Sequence, residues 1–386
     1  MKALKLKDGV FWVGAIDWNP PKFGYSLSKG TTYNSYVILD EKTALIDTVK
    51  HGFTQENISR INEATKTSDI DYIIIGNYHM DHSGSLPFLM KRAKNATIVA
   101  TKESKKAIEK YHGGEWNFEI VGDGDCLKLG ERKLLFTEFE IGGNNILLTY
   151  SEHDNILFSE DLFSQHTASK DRLDTSSEKQ ENDALSYFVN YLMPIQRLPD
   201  LDFNGIEILA PNHGVIWRQN KGKIIKKYQS WIKGESKNKA AILYSSIWRG
   251  TEKMAYAIAD GVAGAGSDTE VINYETCDPG YILTKLFESK TVAIGCPSFK
   301  GGVPPEISKI ISLIELSGLK NKYLALFSCY SDMTSPINHL LKLVSKIDFK
   351  LFDNPLEVQY APSEKELALC FELGNRLGEK TKNNKG

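Results

Sequence analysis

Asn77-Tyr78-His79-Met80-Asp81-His82-Ser83-Gly84 follows the apolar run Tyr72-Ile73-Ile74-Ile75, and this junction decides the fold. Two histidines and a carboxylate fall within four residues at the end of what reads as a buried strand. Alternating side chains on an extended loop aim at one point, and the adjacent Asp81 and His82 both reach that point if the chain turns there. A protein core excludes such a crowd of nitrogen and oxygen donors, whereas a metal site requires it. A merely polar loop explains the histidines less well, because a strand feeding straight into the cluster is a specific pattern.

Further donors follow in order. Ile156-Leu157-Phe158-Ser159-Glu160-Asp161 sets a carboxylate just after another short apolar strand, and Pro211-Asn212-His213-Gly214 sets a single histidine at a turn. A His-rich loop, then an Asp, then a late His resembles the metallo-β-lactamase fold. Several longer stretches narrow the resemblance to flavodiiron proteins. They are Trp12-Val13-Gly14-Ala15-Ile16-Asp17-Trp18, Gly30-Thr31-Thr32-Tyr33-Asn34-Ser35-Tyr36, Ala44-Leu45-Ile46-Asp47-Thr48-Val49-Lys50 and His213-Gly214-Val215-Ile216-Trp217-Arg218. The resemblance runs over nearly the whole chain.

A chain of 386 residues, 41% hydrophobic, is long enough for two or three domains with full cores. A formal net charge of −2 gives no broad pull toward nucleic acid or a membrane surface. No apolar run approaches the ~20 residues of a membrane span. Met1-Lys2-Ala3-Leu4-Lys5-Leu6-Lys7 reads as a charged first strand and not as a signal peptide, so a cytoplasmic location is expected. The five cysteines, Cys126, Cys277, Cys296, Cys329 and Cys370, are scattered, which argues against an iron–sulfur cluster, a rubredoxin module or a disulfide framework.

The two halves follow different rules. Short strands such as Val37-Ile38-Leu39, Ala44-Leu45-Ile46 and Lys133-Leu134-Leu135-Phe136 alternate with turns, and helical patterns occur near 54–65, 85–93 and 103–110. This fits a four-layer αββα sandwich over residues 1–236. Amphipathic stretches near 181–195 and 221–232 lead out of it, and Lys233-Gly234-Glu235-Ser236-Lys237-Asn238-Lys239 reads as a polar linker. Beyond it, Ala241–Tyr244, Val271–Tyr274, Thr291–Gly295, Tyr323–Phe327 and Phe349–Phe352 are buried runs separated by helical segments. Such alternation predicts a doubly wound five-stranded parallel sheet over residues 237–379, like a flavodoxin. Residues 380–386 read as a disordered polar tail.

Ser245-Ser246-Ile247-Trp248-Arg249-Gly250-Thr251 lies between the first of these strands and a helix, where hydroxyls and backbone N–H groups receive a phosphate. It resembles the FMN phosphate loop of flavodoxins. Cys296-Pro297-Ser298-Phe299-Lys300-Gly301-Gly302 follows the third strand, and Ser328-Cys329-Tyr330-Ser331-Asp332-Met333-Thr334 follows the fourth. Ligands of doubly wound sheets bind at these strand ends. Phe299 and Tyr330 are therefore the candidates to flank the flavin ring, with Pro297, Ser298, Lys300, Gly301, Ser328, Ser331 and Asp332 around it. Where this chain has Ser331, Asp332 and Thr334, the family usually carries glycines and a Trp.

The resemblance also implies the ligand set and shows where it breaks. The family pattern is His-x-Glu-x-Asp-His, a mid-chain His, a bridging Asp and a late His. Here Asn77 stands at the first His, His79 at the Glu and Gly142 at the mid-chain His. Asp81, His82, Asp161 and His213 match, and His166 matches a family His near the site. One position thus keeps Asp81, His82, Asp161 and His213, suited to non-haem iron, manganese or zinc. The other keeps His79 and a share of Asp161, with Glu138, Glu140, Asn144 and His153 as conceivable replacements. The implied activity is reduction of O2 to water or of NO to N2O by an FMN- and iron-containing, head-to-tail homodimer or tetramer. Its electrons would come from a rubredoxin, coenzyme F420 or a flavin reductase, and activity would be impaired or altered by the missing ligands. Two other readings stand beside it: a non-catalytic FMN electron-transfer protein with a decayed metal site, and a mononuclear metallohydrolase with metal-bound hydroxide as nucleophile. The flavodoxin-like half counts against the hydrolase.

Overall fold

The computed structural model describes residues 2–19, 30–331 and 334–382. The described chain divides into two compact units, one up to residue 229 and one from 230 onward.

In the first unit the described strands form two main sheets. One runs in the order Leu4–Lys7, Val10–Trp12, Tyr36–Ile38, Ala44–Ile46, Tyr72–Ile74, Thr97–Ala100, Phe118–Ile120. The other runs Cys126–Lys128, Lys133–Ile141, Asn144–Ser151, Ile156–Glu160, Ile208–Pro211. The two-residue period of the strands explains the layering. Tyr36, Ile38, Ile46, Ile74 and Val99 share one core with Phe136, Leu147, Phe158 and Ile208 of the other sheet. The intervening Val37, Leu45, Ile73, Ile75 and Ile98 pack on the opposite face with Ile58, Ile61, Leu89 and Ile108 of the helices. The result is the expected αββα sandwich.

The second unit holds a parallel sheet in the order Asp268–Asn273, Lys237–Tyr244, Ser289–Pro297, Lys320–Tyr330, Asp348–Leu351. Leu356–Gln359 also pairs with Lys320–Tyr330. The fifth strand is therefore broken, its first part along Lys320–Leu324 and its second along Phe327–Tyr330. Ala240, Ile242 and Tyr244 alternate onto the face covered by the helices Gly250–Gly264 and Glu364–Lys382. The order is that of flavodoxin-like folds, whose switch point lies between the first and third strands.

Two local expectations change. The last three residues of the stretch read as linker already belong to the strand Lys237–Tyr244, because Glu288 and Glu270 pair Lys237 and Lys239 and so satisfy its polar start. The tail expected from residue 380 begins later, since the helix Glu364–Lys382 continues through it and buries Thr381, whose hydroxyl lies 2.7 Å from that of Thr291. Residues 383–386 lie outside the described residues.

Lys322 is buried in this unit, donating to Ser236 Oγ at 2.6 Å and to the Phe287 carbonyl at 2.8 Å. Burial pulls its ammonium down to about 7. A base whose folded pKa lies below its unfolded value costs stability in full below the folded pKa, and the cost fades as pH rises toward the unfolded value. Lys322→Met should therefore raise stability at pH 7 by an amount on the order of 2–4 kcal/mol, and the melting temperature with it. The gain should shrink between pH 7 and 10, which paired thermal melts of both proteins across that range would read.

Candidate functional site

The strand Tyr72–Ile74 ends in a turn, and the chain then winds into the short helix Met80–Ser83. Asp81 and His82 thus sit on a helical turn and not on an extended loop. The carbonyl of His82 is held by both the N–H and the hydroxyl of Thr48, at 2.8 and 2.7 Å. His213 follows the strand Ile208–Pro211. These elements bring Asp81, His82 and His213 together with ligand-capable atoms all within 4.8 Å of one another. His82 Nε2 lies 3.6 Å from Asp81 Oδ1, and His213 Nε2 lies 3.5 Å from Asp81 Oδ2 and 3.8 Å from Asp161 Oδ1.

The surrounding bonds orient these groups. His213 Nδ1 donates to the Thr32 carbonyl at 2.6 Å, which leaves Nε2 facing the carboxylates. Asn212 Nδ2 lies 2.9 Å from His82 Nδ1 and donates to Glu160 Oε2 at 2.6 Å. The ring of His166 stands 4.8 Å from that of His213, and its Nδ1 lies 2.9 Å from Thr31 Oγ1. Burial opposes charge on Asp81, but the neighbouring His82 and His213 outweigh it and hold the carboxyl well below the usual range. Burial likewise lowers His213, and Asp81 and Asp161 more than reverse this. Asp81, His82 and His213, with Asp161 beside them, could hold a first-row metal ion, and the donor types fit iron.

The neighbouring position is different. Asn77 Nδ2 donates to Asp161 Oδ2 at 3.0 Å, and the Tyr187 hydroxyl donates to Asp161 Oδ1 at 2.7 Å. Each oxygen of this carboxylate thereby accepts one hydrogen bond, and the side of Oδ2 that faces this position meets an amide donor where the family pattern has an imidazole ligand. His79 joins no group of metal-capable side chains among the described residues; its ring lies 5.0 Å from that of Tyr78, and its N–H donates to Asn77 Oδ1 at 3.1 Å. Gly142 and Gly143 form the two-residue turn between Lys133–Ile141 and Asn144–Ser151, with φ of 58° and 85°. A tight hairpin turn demands positive φ at both positions, which is why glycine stands there and no imidazole does. Glu138 and Glu140 line a cavity of about 760 Å³ with Gly142, Pro194 and Arg197. Asn144 Oδ1 accepts from the Tyr78 hydroxyl at 3.2 Å, and His153 occupies the turn after Ser151, at the other end of the strand. None of these four belongs to a metal-capable group among the described residues, so fewer donors stand ready at this position than at the first.

Asp47, His82 and Glu160 form another buried group of ligand types. Asp47 Oδ2 and Glu160 Oε1 lack hydrogen-bond donors. Burial, with the charges of Asp47 and Asp161, pushes Glu160 far above the carboxylate range, and burial lifts Asp47 to about 6. Without a bound cation, such crowding of buried carboxyls favours the protonated form, and the Asn212 amide already donates to Glu160 Oε2.

In the second unit the helix Gly250–Gly264 begins at Arg249, which has φ 65°. Thr251 Oγ1 is buried at this N-terminus with no partner, as a hydroxyl awaiting an anion would be. A Cβ at Gly250 would meet Cys329 Sγ at 2.4 Å, so the loop approaches the fourth strand closely only because that residue is glycine. These features fit a phosphate at the helix start. Ser246 is half-buried, and Ile247, Trp248 and Arg249 are exposed, Trp248 to 88%. Arg249 Nε pairs with Glu252 at 2.6 Å. Three of the loop hydroxyls instead tie the loops together: Ser245 Oγ donates to the Tyr274 hydroxyl at 2.6 Å, Ser298 Oγ to the Thr334 carbonyl at 2.9 Å and Ser328 Oγ to the Cys296 carbonyl at 2.8 Å. Pro297 is buried, Lys300 and Gly301 form a turn with φ of 50° and 77°, and Phe299 and Tyr330 stand at adjacent strand ends. Gln359 Nε2 donates to the Ser331 carbonyl at 3.3 Å. Asp332 lies outside the described residues.

Residues 31–214 match the family described as ODP family beta lactamase, and residues 242–374 match flavodoxin. A nitric oxide reductase of Moorella thermoacetica is 31% identical, over 96% of this chain and 97% of its own. The chain belongs to the flavodiiron protein family. An uncharacterized protein of Methanocaldococcus jannaschii is 36% identical over 98% and 99% of the two chains. The rubredoxin oxygen:oxidoreductase of Desulfovibrio gigas superposes with a TM-score of 0.92 at 28% identity, over 98% of both chains. This flavodiiron chain thus has the fold and both domains of its relatives.

Tyr187, Asn212, Thr31 and Thr32 are the site residues that sequence patterns miss. Tyr187 lies within an amphipathic helical stretch, where nothing distinguishes a phenol aimed at a carboxylate from one packed in a core. Among the described residues no helix is long and apolar enough to cross a membrane.

Proposed function

We propose that this flavodiiron-family oxidoreductase carries FMN at Ser246–Thr251 and holds one iron at Asp81, His82, Asp161 and His213. Its reduction of O2 or NO is altered by closure of the second metal position. The observation that carries this reading is the Asn77 amide on Asp161 Oδ2, opposite the Tyr187 hydroxyl on Oδ1. An amide N–H is a donor and cannot ligate. Bound there, FMN would supply two-electron chemistry, and the metal a redox-active Lewis acid.

The chain's own groups do the positioning. Thr251 and the N–H groups of the helix start hold the phosphate end, and Phe299 and Tyr330 flank the ring, with Ser331 and Lys300 at its rim. The Tyr187 hydroxyl orients Asp161 by donating to its Oδ1, and Thr32 keeps His213 Nε2 turned to the metal seat. The aromatic side chains left exposed at the strand ends, Trp248 and Phe299, are what a second, head-to-tail copy would cover. A rubredoxin or flavin reductase is the donor this reading supports, in keeping with the names of the relatives. The FMN-loaded protein, given reductase and reduced cofactor, should consume O2 only when flavin is bound. Flavin that is reduced but never reoxidised by O2 or NO would instead favour a pure electron carrier.

A further inference from the structure

The helix Lys102–His112 ends with its last ring turned inward. Lys110 and Tyr111 beside it are exposed, whereas His112 is half-buried and its Nε2 lies 3.0 Å from Ser83 Oγ. Ser83 is fully buried and directly follows His82. Its hydroxyl donates to the Tyr78 carbonyl at 2.8 Å. A hydroxyl has one proton to give, so the remaining contact runs from a ring N–H of His112 to a lone pair of Ser83 Oγ. The histidine therefore carries a proton on Nε2 and acts as a donor to the metal-bearing turn.

The Ser83 bond closes the turn from Tyr78 to Ser83, and Asp81 and His82 lie inside it. The N–H groups of His82 and Ser83 both donate to the His79 carbonyl, at 2.9 and 2.8 Å. Thr48 holds the same turn through the His82 carbonyl. Thr48 follows the strand Ala44–Ile46, and His112 belongs to a helix whose Ile108 is buried with Leu86 and Leu89 in the outer core. The turn is thus gripped once from the sheet and once from a packed helix. On the strength of the single-metal reading, we infer that His112 is a positioning residue of the metal seat, fixing Asp81 and His82 through Ser83. Without its N–H, the buried Ser83 hydroxyl is left short of a donor and free to turn, and the two ligands lose part of their fixed aim.

Cobalt(II) added to the FMN-loaded protein is the probe. A Gln side chain places an amide N–H as many bonds from Cα as the Nε2 of histidine, so His112→Gln keeps the donor and His112→Leu loses it. Competition with a chromophoric chelator should show His112→Leu binding Co2+ about tenfold more weakly than the unaltered protein, and His112→Gln should restore the affinity. The EPR spectrum of the bound Co2+ should change in His112→Leu and return in His112→Gln. Unchanged affinity and spectrum in His112→Leu would overturn the inference, as would His112→Gln binding as weakly as His112→Leu. If melts of the metal-free proteins show that His112→Leu does not fold, Ser83→Ala replaces it: weakened Co2+ binding supports the role, and unchanged binding refutes it. An unaltered protein that takes up no Co2+ would overturn the metal reading itself, and this role of His112 with it.

Discussion

Oxygen supplied to the reduced, FMN-loaded protein should be consumed slowly and appear as hydrogen peroxide. Two electrons and two protons pass from the reduced flavin to O2, giving oxidised flavin and H2O2, and this needs no metal. Water formation takes four electrons per O2 and a site that retains the half-reduced oxygen. On the proposed reading that route is disfavoured, because Asn77 presents an amide donor to Asp161 in place of a ligand and Gly142 brings none. Changing Asn77→His, His79→Glu and Gly142→His together should move the product toward water, since a metal needs several ligands at once to compete with solvent. Asn77→His also strips a donor from Asp161 Oδ2. Gly142→His carries a cost of about 1–2 kcal/mol, because its φ of 58° lies in the left-handed region. Peroxide formed per O2 consumed is the readout, and rapid turnover without peroxide in the unaltered protein would contradict the expectation.

Thr251→Asp should all but abolish FMN binding. The orphaned hydroxyl sits where a phosphate is welcomed by the helix start. A fixed carboxylate there repels the phosphate by about 4 kcal/mol per charge pair near 4 Å, or roughly a thousandfold in affinity. Thr251→Ala removes only one hydrogen bond to a charged group, about 2 kcal/mol, and should weaken FMN some thirtyfold. Fluorescence quenching on titration of FMN into the apoprotein separates the two variants. Comparable affinities for Thr251→Asp and the unaltered protein would place the phosphate elsewhere.

Both architectures were legible because burial leaves a period in the sequence. Alternation about Ile38, Ile46 and Ile74 marks a strand between two layers, and the apolar runs after residue 237 mark strands buried on both faces. The break in the fifth strand was not legible, since Leu351 and Leu356 read equally well as strand and only pairing with Lys320–Tyr330 separates them. At the metal site, chemistry within a few residues could be read, as with Asp81 and His82. Chemistry assembled across the fold could not. Asn77 reads as a weak ligand, and only the placement of Asp161 makes it a donor. Gly142 reads as a lost histidine, and only the hairpin register shows that the turn itself requires glycine.

The proposal that the second metal position has lost its ligands at Asn77 and Gly142 sets the iron content. Plasma mass spectrometry after anaerobic reconstitution and desalting should find one iron or fewer per chain, lost further on changing His213→Ala or Asp81→Ala. Two tightly held irons per chain would contradict it.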